Sequence, residues 1–198
     1  MDNGLVQSAQ GAAMFSASVV CNRGIEIAGS HQNVYTFECF DKHGNLRWRE
    51  EVHNLVTNEG LNDVLSKYFK ASGYTAVWYV GLIDNVNFTA IAAANTAAGI
   101  TLNASGANQW QEFDDFSETN RQTLVLGAVA SQSVDNSASK AAHNINATGT
   151  VKGAFVVSTN TKGGTTGVLY GAAAFAANRA VEIGDVLNLS VALTQASA

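Results

Sequence analysis

The clearest signal along the chain is a change of period. From Val34 to Phe40, β-branched and aromatic residues alternate with polar ones, so Tyr35, Phe37 and Cys39 share one face of a predicted strand. Asp41-Lys42-His43-Gly44-Asn45 predicts a turn, because Gly44 tolerates positive φ and the Asp41 side chain can accept a bond from the backbone two residues on. Leu46, Trp48 and Val52 resume as a second strand with Arg47, Arg49 and Glu51 on its other face, which gives a hairpin with one wet side. After Asn54-Leu55-Val56 the period lengthens. Leu61, Val64, Leu65 and Tyr68 stand at i, i+3, i+4 and i+7, which predicts one helix near residues 58-70 with that stripe buried. Thr57 is its N-cap, and Ser72-Gly73 ends it.

Beyond the helix, Thr75 to Ile83 is a near-continuous apolar run, the pattern of a strand buried on both faces. Residues 91 to 108, mostly Ala, Asn, Thr, Gly and Ser, read as a long loop. Strand patterns then recur at Gln122 to Leu126, Ala141 to Asn146, Gly149 to Val157, Val168 to Phe175 and Val186 to Leu193. Gln132 to Asn136, Asn160 to Gly164 and Ala177-Asn178-Arg179 read as the turns between them. The expected fold is mainly β, an antiparallel β-sandwich, jelly-roll-like, with the single helix near 58-70. The sandwich takes residues 31-198. Residues 1-30 carry only short apolar patches (Met14-Phe15, Val19-Val20-Cys21, Ile25 and Ile27) and read as an extended N-terminal arm able to lend a strand to a neighbour. A tail, or a strand of the chain's own sheet, fits the same composition.

Composition narrows function more than fold. Lys and Arg number 11 against 16 Asp and Glu, a net charge of −5, and only 14% of the 198 residues are charged, against roughly 25% in an average soluble protein. A basic nucleic-acid footprint is absent. Proline is missing, 46% of residues are hydrophobic and small neutral side chains replace charge. Such a surface has little self-repulsion and suits a subunit of an assembly, although secreted bacterial β-proteins share it. No run approaches the roughly 18 to 20 apolar residues that span a bilayer. Met1-Asp2-Asn3-Gly4 offers no basic leader region, so synthesis in a cytoplasm is expected. Cys21 and Cys39 form no C-x-x-C and read as free, partly buried thiols.

Sites of chemistry are sparse. His31, His43, His53 and His143 are scattered, without the short spacing that places two imidazoles on one metal, and are expected at the surface or satisfied within the fold. Neither a nucleophile elbow nor a phosphate loop occurs, and Gly163-Gly164-Thr165-Thr166-Gly167 precedes a strand rather than a helix. The densest acidic group is Glu112, Asp114, Asp115 and Glu118 beside Trp110, Phe113 and Phe116. It admits a calcium site or a glycosidase pair with an aromatic sugar platform, or else a solvated loop whose aromatic residues tuck under a sheet edge. Arg47, Arg49, Glu50 and Glu51 read as an exposed, ion-paired hairpin face. No catalytic, cofactor-binding or metal-ligating residue is assigned, and no cofactor is expected.

Thr36 to Glu51 followed by Asn54-Leu55-Val56-Thr57 resembles the opening of a family of tailed-bacteriophage virion proteins. Ser133 to Lys140, Gly149 to Phe155 and Gly184 to Leu189 are similar in kind, so the likeness spans about residues 33 to 195, while the first thirty depart from it. The resemblance implies a non-enzymatic head decoration, or cement, protein on the virion surface, made in the bacterial host cytoplasm. Its partners would be the major capsid protein and further copies of itself as a homotrimer, with no nucleic acid and no membrane. A tail or head–tail connector subunit is the alternative. A glycan-binding or glycan-cleaving domain using Trp110, Glu112 and Asp114 is a weaker one.

Overall fold

The computed structural model describes residues 31–73, 77–104, 106 and 109–195, so the expected arm at 1-30 lies outside the described residues. Among the described residues, twelve strands form two sheets. The first is built from β1 (His31–Phe40), β2 (Leu46–His53), β8 (Ser133–Asp135), β9 (Ala141–Asn144) and β12 (Val186–Gln195), in the order β2-β1-β12-β8. β12 is shared lengthwise, its first half pairing with β9 and its second with β8. The other sheet runs β3 (Leu55–Val56), β11 (Leu169–Val181), β10 (Gly149–Val157), β4 (Tyr79–Asp84), β6 (Trp110–Phe113), β5 (Ile100–Thr101), with β7 (Gln122–Thr123) also on β4. The fold is thus the mainly β, two-sheet sandwich with one helix that the periodicities predict. This strand order does not establish a jelly-roll path, and the sandwich is not wholly antiparallel, since β5 and β6 run parallel.

Alternation places the core. Tyr35, Phe37 and Cys39 of β1 and Leu187, Leu189 and Val191 of β12 are fully buried against Val80, Leu82, Ala154, Val156 and Phe175 of the facing sheet. Phe37 and Phe175 meet edge to face across the sheets, ring centroids 4.5 Å apart. The second sheet is buried on its other face too. There Ile83, Phe155, Val157 and Leu169 pack with Ala97, Ile100 and Trp110. This second layer explains why the stretch containing β4 reads as a near-continuous apolar run. It also corrects the reading of residues 91 to 108 as a long loop: the segment contains a 3-10 turn (Ala97–Gly99) and β5, and its apolar residues roof the sheet.

Strand ends shift where tertiary partners intervene. In the apolar run expected from Thr75, Thr75 and Ala76 lie outside the described residues, Val77 is exposed and the strand begins at Tyr79. Gln122 to Leu126 yields only the two residues of β7, while Ser133–Asp135, read as turn, joins β12 as β8. The expected turn at Ala177-Asn178-Arg179 lies inside β11. Val151 pairs with Arg179 and Gly153 with Ala174, so four residues of β11 stand opposite Lys152 alone as a bulge. The Lys152 ammonium spans that bulge, donating to the Phe175 carbonyl at 2.7 Å and the Ala176 carbonyl at 3.4 Å. Carbonyls freed from the ladder therefore keep a partner, and the strand resumes.

The helix, α1 (Asn58–Phe69), begins as predicted. Thr57 Oγ1 accepts from the Gly60 amide at 3.1 Å and donates to the Leu169 carbonyl at 2.5 Å. The buried face is the correction. Gly60 is the helix's one buried residue, pressed so close to β11 that an added Cβ would lie 2.3 Å from the Tyr170 carbonyl oxygen. Glu59 ties the same turn down, accepting from the amides of Ala97 at 2.9 Å and Leu169 at 2.7 Å. α1 is therefore anchored through its first turn. The expected stripe is only half-buried at Leu61 and Val64, and Leu65 and Tyr68 are exposed.

Candidate functional site

The acidic and aromatic run at 110 to 118 resolves into structural parts. β6 pairs Glu112 with Ile83 and carries its side chain into the interior, where the carboxylate meets Arg121: Nε to Oε1 and Nη2 to Oε2 are both 2.8 Å. Gly163 donates its amide to Glu112 Oε2 at 2.6 Å. Arg121 also donates to the carbonyls of Thr159 at 3.0 Å and Gly164 at 3.2 Å, with its guanidinium 5.2 Å from the Phe155 ring centroid. The glycine-rich loop thus clasps a buried ion pair, and the Glu112 oxygens are engaged.

The remaining acids are apart from it. Asp114 and Asp115 are exposed, and Glu118 accepts from the backbone and side-chain amides of Asn144. Lys162 lies 3.5 Å over the Phe116 ring and donates to the carbonyls of Phe116 at 2.6 Å and Asp114 at 3.0 Å. Burial lowers its pKa, and the surrounding carboxylates oppose that shift. Trp110 is 1% exposed and tilted against Phe155, so it presents no platform to a sugar. With its platform buried and Glu112 neutralised by Arg121, the run cannot work as the glycosidase pair, and the tucked aromatic residues are what the structure contains. Among the described residues, no group of three or more His, Cys, Asp or Glu side chains gathers as a metal site.

The hairpin charges are paired more specifically than a solvated face requires. A bulge between Cys39 and Phe40 sets Arg47 toward the β11–β12 turn, where it meets Asp185 at 2.5 Å and Glu182 at 2.7 Å. These two carboxylates raise the Arg47 pKa. Asp185 is nearly buried and also caps the Glu182 amide at 2.8 Å. Glu50 pairs with Arg179, and Arg49 sits 3.3 Å from Glu51. Cys39 is a free, fully buried thiol whose pKa is pushed up to about 12 by burial and by Asp185; Cys21 lies outside the described residues.

The histidines do not converge. His43 occupies the exposed turn and His53 the exposed end of β2, and the side chain of His31 lies outside the description. His143 is satisfied within the fold at one ring nitrogen only, with Nδ1 3.4 Å from the Leu187 carbonyl oxygen. It is wholly buried, edge-on to Phe116 at 4.9 Å, with Nε2 lacking a hydrogen-bond partner among the described residues, and burial brings its pKa down to about 4.

One surface the structure leaves open is apolar. On α1, Leu65, Tyr68 and Phe69 are 54%, 80% and 73% exposed, with the two rings edge to face at 4.9 Å. Beside them a cavity of about 420 Å³ opens between α1 and the sandwich, lined by Val64, Tyr68, Trp78, Leu124, Tyr170 and Leu193. Its continuation, about 360 Å³, shares Tyr170 and Leu193 and reaches Asn33, Val134 and Gln195. Sequence reasoning missed this groove because it assigned the helical stripe to the core. The one available signal was Gly60, a helix-weakening residue three positions after the cap, in a first turn where a close backbone contact would favour it. No helix among the described residues is long and apolar enough to cross a membrane. No family model and no curated protein matches this chain.

Proposed function

We propose that this chain is a non-enzymatic structural subunit of a tailed-bacteriophage particle, closest to a head decoration protein that binds the outer surface of the major capsid protein lattice. Homotrimers at local symmetry axes would stabilise the head, with neither nucleic acid nor membrane as partner. The sequence resemblance over about residues 33 to 195 supplies the particle. The observation that carries a binding role is the aromatic end of α1: large apolar side chains standing together in water mark a contact surface. Low charge density favours such a surface in a crowded shell. Glu112 and Trp110, the residues an enzyme reading would need, are spent inside the fold.

Purified protein mixed with expanded empty shells tests the reading by co-sedimentation. Saturable binding in a fixed ratio to the shell protein is expected, and Phe69→Ser should weaken it about tenfold or more, the typical loss when a central aromatic anchor is removed. Immunogold label on tails with bare heads would replace the decoration role by the tail or connector role. Absence from particles altogether would end both.

A further inference from the structure

The bulge of β11 borders a cavity of about 390 Å³ whose wall is mostly polar, unlike the apolar groove at α1. Asn178 stands in the bulge, Lys152 lies opposite it on β10, and Asn85, Phe88 and Thr89 close the cavity from the turn after β4. That turn is fixed, because the Asn85 amide donates to the Thr150 carbonyl at 3.3 Å and the Val86 amide to Asp84 Oδ1 at 2.8 Å. Asn85, Asn178 and Thr89 bring two side-chain amides and a hydroxyl to one space, and among the described residues none of these three groups has a hydrogen-bond partner. Lys152 keeps a donor to spare, since its ammonium has three N–H groups and the Phe175 and Ala176 carbonyls take two. Phe88, packed with Ile91 against the second core layer, carries its ring 5.7 Å from that ammonium. None of the lining residues is acidic.

These groups select a ligand by their chemistry. An apolar ligand needs a mainly hydrophobic lining, a metal ion needs carboxylates or imidazoles, and a phosphate needs clustered cations or the backbone N–H groups of a helix start. The wall meets none of these demands. An amide presents a donor and an acceptor side by side, which matches neighbouring hydroxyls on a sugar ring, since each hydroxyl both donates and accepts. The C–H face of the same ring packs on an aromatic side chain. We propose that this cavity binds one uncharged pyranose unit of a glycan, with Asn85, Thr89, Asn178 and Lys152 on its hydroxyls and Phe88 against its C–H face. The volume of about 390 Å³ lies within the range of small-ligand sites. With no acid in the wall, the sugar is held and not cleaved. The site shares no residue with Trp110, Glu112 and Asp114, and the inference stands whether or not the particle assignment holds.

Titration of the purified full chain with the methyl glycosides of glucose, galactose, mannose and N-acetylglucosamine, followed by amide NMR signals, tests it. At least one glycoside should give saturable shifts confined to residues 85 to 91, Lys152 and residues 174 to 178. The dissociation constant should be on the order of 1 mM, ordinary for so small a ligand. Thr89→Ala and Asn178→Ala change exposed positions, so the fold persists, and each should weaken binding about two- to tenfold, the worth of one hydrogen bond. Phe88→Leu, which keeps apolar bulk and removes the flat ring, should weaken it by a similar factor. Cyclohexanol, N-acetylalanine amide and inorganic phosphate should leave the same signals in place. No saturable shift with any of the glycosides up to about 50 mM, shifts elsewhere on the molecule, an equal response to any of the control compounds, or unchanged affinity in the three variants would overturn the proposal.

Discussion

Glu112 and Arg121, nine residues apart, lie fork to fork in the interior with both side chains fully buried and two parallel bonds of 2.8 Å between them. The pair joins β6, the approach to β7 and the β10–β11 loop through the Gly163 amide and the Thr159 and Gly164 carbonyls. Breaking one partner leaves the other charge stranded. Arg121→Met is expected to lose about 3 to 5 kcal/mol in urea unfolding, and adding Glu112→Leu should recover part of that loss. A double variant less stable than the single one would show that the loop contacts outweigh the stranded charge.

Gly60→Ala should act against ordinary helix propensity. At an exposed helical site the change stabilises by about 0.5 to 1 kcal/mol. Here the new Cβ would stand 2.3 Å from the Tyr170 carbonyl oxygen, so α1 must shift off β11 and strain the Thr57 cap. A lower melting temperature is expected, together with a change in Trp78 emission, since Trp78 and Tyr170 are in edge contact at 5.7 Å.

His143 predicts the acid side of the stability curve. Its folded pKa is lowered from 6.5 to about 4 by burial, so above pH 6.5 the ring is neutral in both states and its contribution is intact. Below pH 6.5 the unfolded chain takes up the proton first, and stability falls until the folded pKa is passed. At 1.36 kcal/mol per pH unit, the loss approaches about 3 kcal/mol. Unfolding free energies measured from pH 7 to 4 should show this slope, and His143→Gln should flatten it.

Lys152→Met should loosen the β11 bulge. It removes the donor to the Phe175 and Ala176 carbonyls while keeping the apolar stem. A loss of about 1 to 2 kcal/mol is expected, with faster amide hydrogen exchange confined to residues around 149 to 153 and 174 to 181. Uniformly faster exchange would assign Lys152 a global rather than a local role.

Short-range order was written in the chain. The β1–β2 hairpin, the Thr57 cap, β10 at its full length and most of β12 follow from alternation, turn chemistry and capping, which act between residues a few positions apart. The same local rules misjudged what depends on distant partners. A run of acids reads as solvated or catalytic until Arg121 and Gly163 arrive to neutralise Glu112. A turn signal at 177 to 179 remains strand because Lys152 satisfies the bulge, and a helical stripe reads as core until Gly60 anchors α1 by its first turn and leaves Tyr68 in water. Local spacing set the periods and the caps. Which faces and charges are covered depended on the assembled fold, because burial is set by residues that meet across the sheets and loops, far apart in the chain.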